Sequence, residues 1–175
     1  MRHYSLKIPG LLLVVLVAAG CGISGLSSEE KRAEQARVTE QVGRSLDARR
    51  FKMDIEHMYP FRGASRYVGG DSYSLVVDGD KVRSHLPYMG VAYQVPYGGG
   101  KVLTFEDDIE EYGEGIDGRG RRVIAFSTDN DEDYIIFRLT VFDNGRADLQ
   151  VRSRNREDIN YRGSIDPDAF PEEGE

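Results

Sequence analysis

The chain has a single cysteine, Cys21, among its 175 residues, so no internal disulfide can form and a multi-thiolate zinc site is excluded. Positive charge is also in deficit, with 23 lysines and arginines against 30 aspartates and glutamates, a formal net charge of −7. That balance opposes generic nucleic-acid binding, which needs a field that attracts phosphate. Histidine is scarce: beyond the first twenty residues there are only His57 and His85, and no tight nucleophile motif accompanies either. No apolar run can span a bilayer, because the longest, Leu11 to Ala19, has nine residues where a helix needs about 20. What remains, 39% hydrophobic and 30% charged residues, describes an ordinary globule of about one domain.

The first twenty residues have a basic start, the apolar run and then small residues, which is the pattern of a signal peptide over 1–20. Its end, Ala18-Ala19-Gly20-Cys21, resembles the lipobox of bacterial lipoproteins, in which the peptide is cut before a cysteine that becomes diacylated. The alternative is a plain secretory signal with an incidental cysteine. Two acyl chains suffice for stable anchoring, so the expectation is a protein tethered through Cys21 to the outer membrane, facing the periplasm or the cell surface. Loss of Arg2 and Lys7 with the leader leaves 21 basic residues against 30 acidic, or −9.

Residues 21–49 read as a tether and helix. Ser27 and Glu30 fit a capping box, and Val38, Val42 and Leu46 form the one apolar stripe at helical spacing. From Phe51 the period becomes two, the mark of strands: Phe51, Met53, Ile55 and His57 fall on one face, as do Tyr73, Leu75 and Val77. Val82, Ser84 and Leu86 follow the Asp78-Gly79 turn, and further strands fit 102–105 and 121–127. The clearest hairpin sets Ile135, Phe137, Leu139 and Val141 against Ala147, Leu149 and Val151 across Asn144-Gly145. A last strand fits 158–163. About eight short strands predict a mainly β domain over 50–165, a single antiparallel meander closed as a barrel or folded as a sandwich. Residues 166–175 are acidic and proline-rich and read as a loose tail.

Three strings, YPFRGASRYV from Tyr59, SHLPYMGVAYQVPYGGGKVLTFE from Ser84 and NGRADLQVRSRNREDINYRGSI from Asn144, resemble the blocks of the domain-of-unknown-function family numbered 4251, found in Bacteroidetes envelope lipoproteins. The resemblance covers nearly all of 45–165. It implies a secreted or lipid-anchored β-rich domain and carries over no catalytic residue. Ser27-Ser28-Glu29-Glu30 is also faintly similar to the acidic export signal of surface lipoproteins.

Familiar chemical motifs fail on context. Gly113, Gly115 and Gly118 satisfy GxGxxG, but a strand follows them rather than a helix. Gly98-Gly99-Gly100-Lys101 lacks the first glycine and the hydroxyl of a phosphate loop. Asp129, Asp131 and Asp133 alternate as in a calcium loop, yet Tyr134 and Thr140 occupy positions that need glycine and glutamate, so a solvated hairpin tip is expected. The acidic run Glu106 to Glu114 reads as a solvated edge or loop. No metal, cofactor or catalytic residue is called for, although a two-carboxylate hydrolase leaves no signature in spacing.

Two groups remain as candidate binding residues. Tyr59, Tyr88, Tyr93 and Tyr97 recur among prolines and glycines; tyrosines on such loops either recognise a glycan, peptide or envelope protein or plug one end of the β domain. Arg152 and Arg154 belong to an outward arginine face with Arg146, Arg156 and Arg162. Such a face either attracts an anionic envelope partner or pairs with neighbouring acids. The expected function is a lipid-anchored binding or interaction module, with a structural envelope protein as the alternative and a hydrolase third.

Overall fold

The computed structural model describes residues 27–91, 102–129 and 133–170. One helix, α1 (Ser28–Asp47), precedes ten strands: β1 (Arg50–Pro60), β2 (Arg66–Tyr67), β3 (Ser74–Asp78), β4 (Lys81–Pro87), β5 (Val102–Asp108), β6 (Glu111–Ile116), β7 (Arg122–Asp129), β8 (Tyr134–Val141), β9 (Arg146–Ser153) and β10 (Ile159–Ile165). They make a single antiparallel sheet in the order β5-β4-β3-β1-β10-β9-β8-β7-β6, with β2 on β1. The expected mainly β domain is present, and its sheet is curled as a half-barrel. The two ends of the order, β5 and β6, are consecutive in the chain and meet at Ile109-Glu110. Chain continuity, rather than a ladder among the described residues, joins the two edges.

Period two sets the core. Phe51, Met53, Leu75, Val77, Val82, Phe137, Leu139, Leu149 and Tyr161 are all buried on the concave side, and burying each large apolar side chain stabilises by about 1.5–3 kcal/mol before entropy is counted. The strands absent from the sequence reading are β2 and β6. β6 carries Gly113 and Gly115 in the acidic stretch read as edge or loop. As an edge strand it needs no apolar alternation.

α1 starts where the capping box sets it: the Glu30 amide donates to the Ser27 hydroxyl and the Ser27 amide to the Glu30 carboxylate. Its C-terminal half docks through Val42 and Leu46, both buried. The Asn144-Gly145 turn receives it. Gly145 holds φ +77°, and a β-carbon there would stand 3.3 Å from Val38 Cγ1. The Thr39 hydroxyl donates to the Asp143 carbonyl at 2.5 Å. The acidic C-terminal stretch, expected to be loose, folds back over its first five residues: the Asp166 amide donates to the Lys52 carbonyl at 2.9 Å, and the Phe170 ring lies 5.0 Å beneath the Arg50 guanidinium.

One irregularity positions the outer surface. Between Ile55 and His57 the β1–β10 register slips, a β-bulge. Phe51, Met53 and Ile55 point inward before it and Met58 after it. The extra residue reverses the phase, so His57, expected on the apolar face, lies outside with Tyr59.

Candidate functional site

Across the convex face, register places His57 beside Arg162 and Arg162 beside Asp148; the next row aligns Tyr59, Asn160 and Gln150. His57 stacks on Tyr59 with centroids 6.3 Å apart and meets the edge of Tyr67 at 5.1 Å. Arg162 Nε donates to Asp148 at 2.8 Å while its guanidinium lies 5.9 Å from the Tyr59 ring. Of these residues His57, Tyr59, Asp148 and Arg162 floor an open groove of about 700 Å³ whose far wall is Gln35 of α1, the β6–β7 turn at Arg119–Arg121, and Phe142 and Asn144 before β9. The lining is mostly polar, with His57, Tyr59 and Phe142 as its aromatic members, so a ligand here is held by hydrogen bonds together with a few apolar contacts.

Of the predicted tyrosines, the two among the described residues do not converge here. Tyr59 is on the convex face, whereas Tyr88 is 2% exposed and shares its hydroxyl proton between the Val91 and Glu157 carbonyls at 3.1 and 3.2 Å. Tyr93 and Tyr97 lie outside the described residues, as do Cys21 and the 98–101 glycine string. The burial of Tyr88 follows its neighbours: Val91 and Glu157 exchange hydrogen bonds at 3.1 and 3.2 Å, which pins the exposed 89–91 segment against Glu157 and turns the Tyr88 ring inward.

Arg146, Arg152, Arg154 and Arg162 point outward as expected, and three of them are paired with acids. Arg152 meets Asp158 at 3.3 Å, Arg146 meets Glu56 at 2.6 Å and Arg162 meets Asp148. Arg154 lies over the Tyr134 ring at 5.2 Å. Arg156 is the exception. Its side chain is buried, 3.9 Å from Asp133 and 5.4 Å from the Tyr88 ring centroid. Exposed pairs of this kind contribute about 0–1 kcal/mol, so their importance here is that they cancel charge.

Asp133 is not at a solvated tip. It is buried and accepts from the Ser153 hydroxyl and, at 3.2 Å, from the Asn155 amide. Asp129 ends β7 and Asp131 lies outside the described residues. Among the described residues no three histidines, cysteines or carboxylates gather to hold a metal ion. Sequence reasoning missed Arg119, Arg121 and Phe142, because only the curl of the sheet sets the β6–β7 turn opposite Tyr59.

That turn is held by Asp117. Its carboxylate accepts from the Arg121 guanidinium, the Arg121 amide and the Arg119 amide, in that order of importance, and these bonds hold its pKa at about 2 against an ordinary 3.8. A depressed carboxylate stabilises above its unfolded value and loses that contribution as pH falls through the folded one. Protection of the Arg119 and Arg121 amides from hydrogen exchange is therefore expected to persist to pH 4 and fall toward pH 2. An Asp117 titration midpoint at 3.8 or above, read by NMR, contradicts this.

A model of the family described as Domain of unknown function (DUF4251) matches residues 33–165. The chain belongs to this family. The crystal structure at 1.95 Å of a DUF4251 family protein from Bacteroides eggerthii DSM 20697 is similar, with a TM-score of 0.61 and 18% identity over 77% of this chain and 90% of that one. At that identity the likeness concerns the fold. Among curated proteins no relative matches the sequence. The family match begins within α1, in keeping with the burial of Val42 and Leu46 in the same core as the strands.

Proposed function

We propose that this family member is an envelope-anchored binding module, held at the outer membrane through diacylated Cys21 and presenting the convex groove to a glycan, peptide or envelope protein. The groove carries the reading: an open volume of about 700 Å³ beside stacked His57 and Tyr59. The anchor is supported by the leader and by the placement of the chain's one cysteine at its end. A hydrolase is disfavoured, since of the two carboxylates lining the groove, Asp143 and Asp148, the latter is tied to Arg162 at 2.8 Å, which leaves no free carboxylate pair across it. The burial of Tyr88 gives its segment a structural role.

Two measurements test this proposal. Cys21→Ser is expected to move the protein from the membrane to the soluble fraction; persistence on membranes after a high-salt wash contradicts the anchor. Tyr59→Ala is expected to weaken retention on immobilised envelope polysaccharide or peptidoglycan stem peptide at least tenfold, with the variant still folded by circular dichroism and hydrogen exchange. Equal retention of variant and wild type by both matrices removes the groove from consideration.

A further inference from the structure

The groove is rich in arginine, yet it is poorly built for an anion. Arg121 is tied to Asp117 at 2.6 Å, Arg146 to Glu56 at 2.6 Å and Arg162 to Asp148 at 2.8 Å. Arg119 and Asp143 complete the lining with opposite signs. An anion approaching any of the three bound guanidiniums meets a carboxylate already in place, whose repulsion offsets much of the attraction. A basic patch, which the sequence pattern of outward arginines allowed, is absent at this site.

What the geometry offers instead is a fork. Nε of Arg162 is bound to Asp148 Oδ1, and its NH2 group is 3.5 Å from Oδ2. The guanidinium has five N–H donors in all, and a carboxylate has about four lone-pair sites. Unused donors and unused acceptors therefore sit side by side, fixed by cross-strand register. Beside the fork is the Tyr59 ring, and in the row behind it are Asn160 and Gln150, whose amides also donate and accept.

We propose that the groove binds an uncharged oligosaccharide, with the Arg162–Asp148 fork spanning two adjacent hydroxyls of one sugar and Tyr59 stacking on its C–H face. A hydroxyl both donates and accepts, so a vicinal pair matches a donor–acceptor fork, whereas a carboxylate or sulfate matches only half of it. The aliphatic face of a pyranose suits an aromatic ring that is partly buried and held in place by a stacked neighbour, as Tyr59 is by His57. Charge cancellation within the fork leaves recognition to hydrogen-bond geometry. This proposal rests on the binding-module reading and names its ligand class.

The test titrates the full chain in detergent micelles with neutral hexose oligomers of several linkages and with acidic uronate oligomers, by NMR or calorimetry, at low and high salt. The expected result is saturable binding of a neutral oligomer that changes less than twofold with salt. Tyr59→Ala should weaken it at least tenfold. Asp148→Asn, which keeps the shape of the side chain, should weaken it at least fivefold and at the same time allow uronate to bind, because Arg162 loses its counter-charge. Uronate binding by the wild type, screened by salt and with no neutral oligomer bound, overturns the uncharged class while leaving the groove as the site. Failure of every oligomer, with Tyr59-dependent retention on stem peptide intact, overturns the sugar and keeps the module. Failure of both removes both.

Discussion

Gly163→Ala is expected to unfold the domain or bring it close to unfolding. In β10, Gly163 lies opposite Ile55 at the bulge. A β-carbon there would fall far inside contact with the Asp54 carbonyl oxygen, 2.9 Å from the Asp54 carbonyl carbon and 3.2 Å from Ile55 Cα. All three are backbone atoms, so no side-chain rotation relieves the clash. Overpacking a core that can yield costs about 1–3 kcal/mol; here β1 must separate from β10, and a loss above about 4 kcal/mol is expected, in the range reserved for exceptional substitutions. Against a total of about 5–15 kcal/mol, that removes much of the stability. Urea unfolding should show the midpoint falling, and the thermal midpoint should drop by about 8–16 °C, using about 2–4 °C per kcal/mol for a chain of this size. A loss under about 1 kcal/mol would show that the two strands are not held at this approach.

Phe137→Ala is expected to cost about 3–5 kcal/mol, as for large aromatic truncations in well-packed cores. Phe137 is wholly buried on β8. It stacks on Phe126 of β7 with centroids 4.9 Å apart and meets Phe105 of β5 at 6.3 Å. That second contact reaches across the concave side to the opposite edge of the sheet, so the cavity left behind borders the place where β5 and β6 are joined only by Ile109-Glu110. Phe137→Leu should recover part of the loss. Because the site is on the convex face, the variant that remains folded should keep the wild-type affinity for any groove ligand. A cost under about 1.5 kcal/mol, below the usual span for such truncations, contradicts the packing described.

Period two made most of the core legible before any coordinates: Leu75, Val77, Val82, Leu86, Leu139 and Val151 are buried where alternation placed them. The capping box and the Val42–Leu46 stripe were equally local signals. His57 was misplaced because a bulge is a single extra residue whose cause, the missing side chain of Gly163, lies over a hundred positions away in the chain. Only the partner strand reveals it. The same distance hides the arginine partners: Arg146 finds Glu56 rather than Asp143 beside its own turn. β6 was hidden for a different reason, since an edge strand with glycines and glutamates buries too little to leave a pattern. Tyr88 resembled a recognition residue because its neighbours are loop-formers, while its burial depends on Glu157, which no local rule connects to it.

The pairing of β1 with β10 also has a kinetic meaning. On one side of that seam, β3, β4 and β5 follow β1 as hairpin neighbours; on the other, β6 to β10 form a second uninterrupted meander. Every ladder within each half is local, whereas β1 and β10 must close a loop of about a hundred residues, and that closure entropy has to be met before the contact yields any return. The expectation is a domain that folds as two meanders with their docking as the slow step, which places the bulge opposite Gly163 on the surface that mates last.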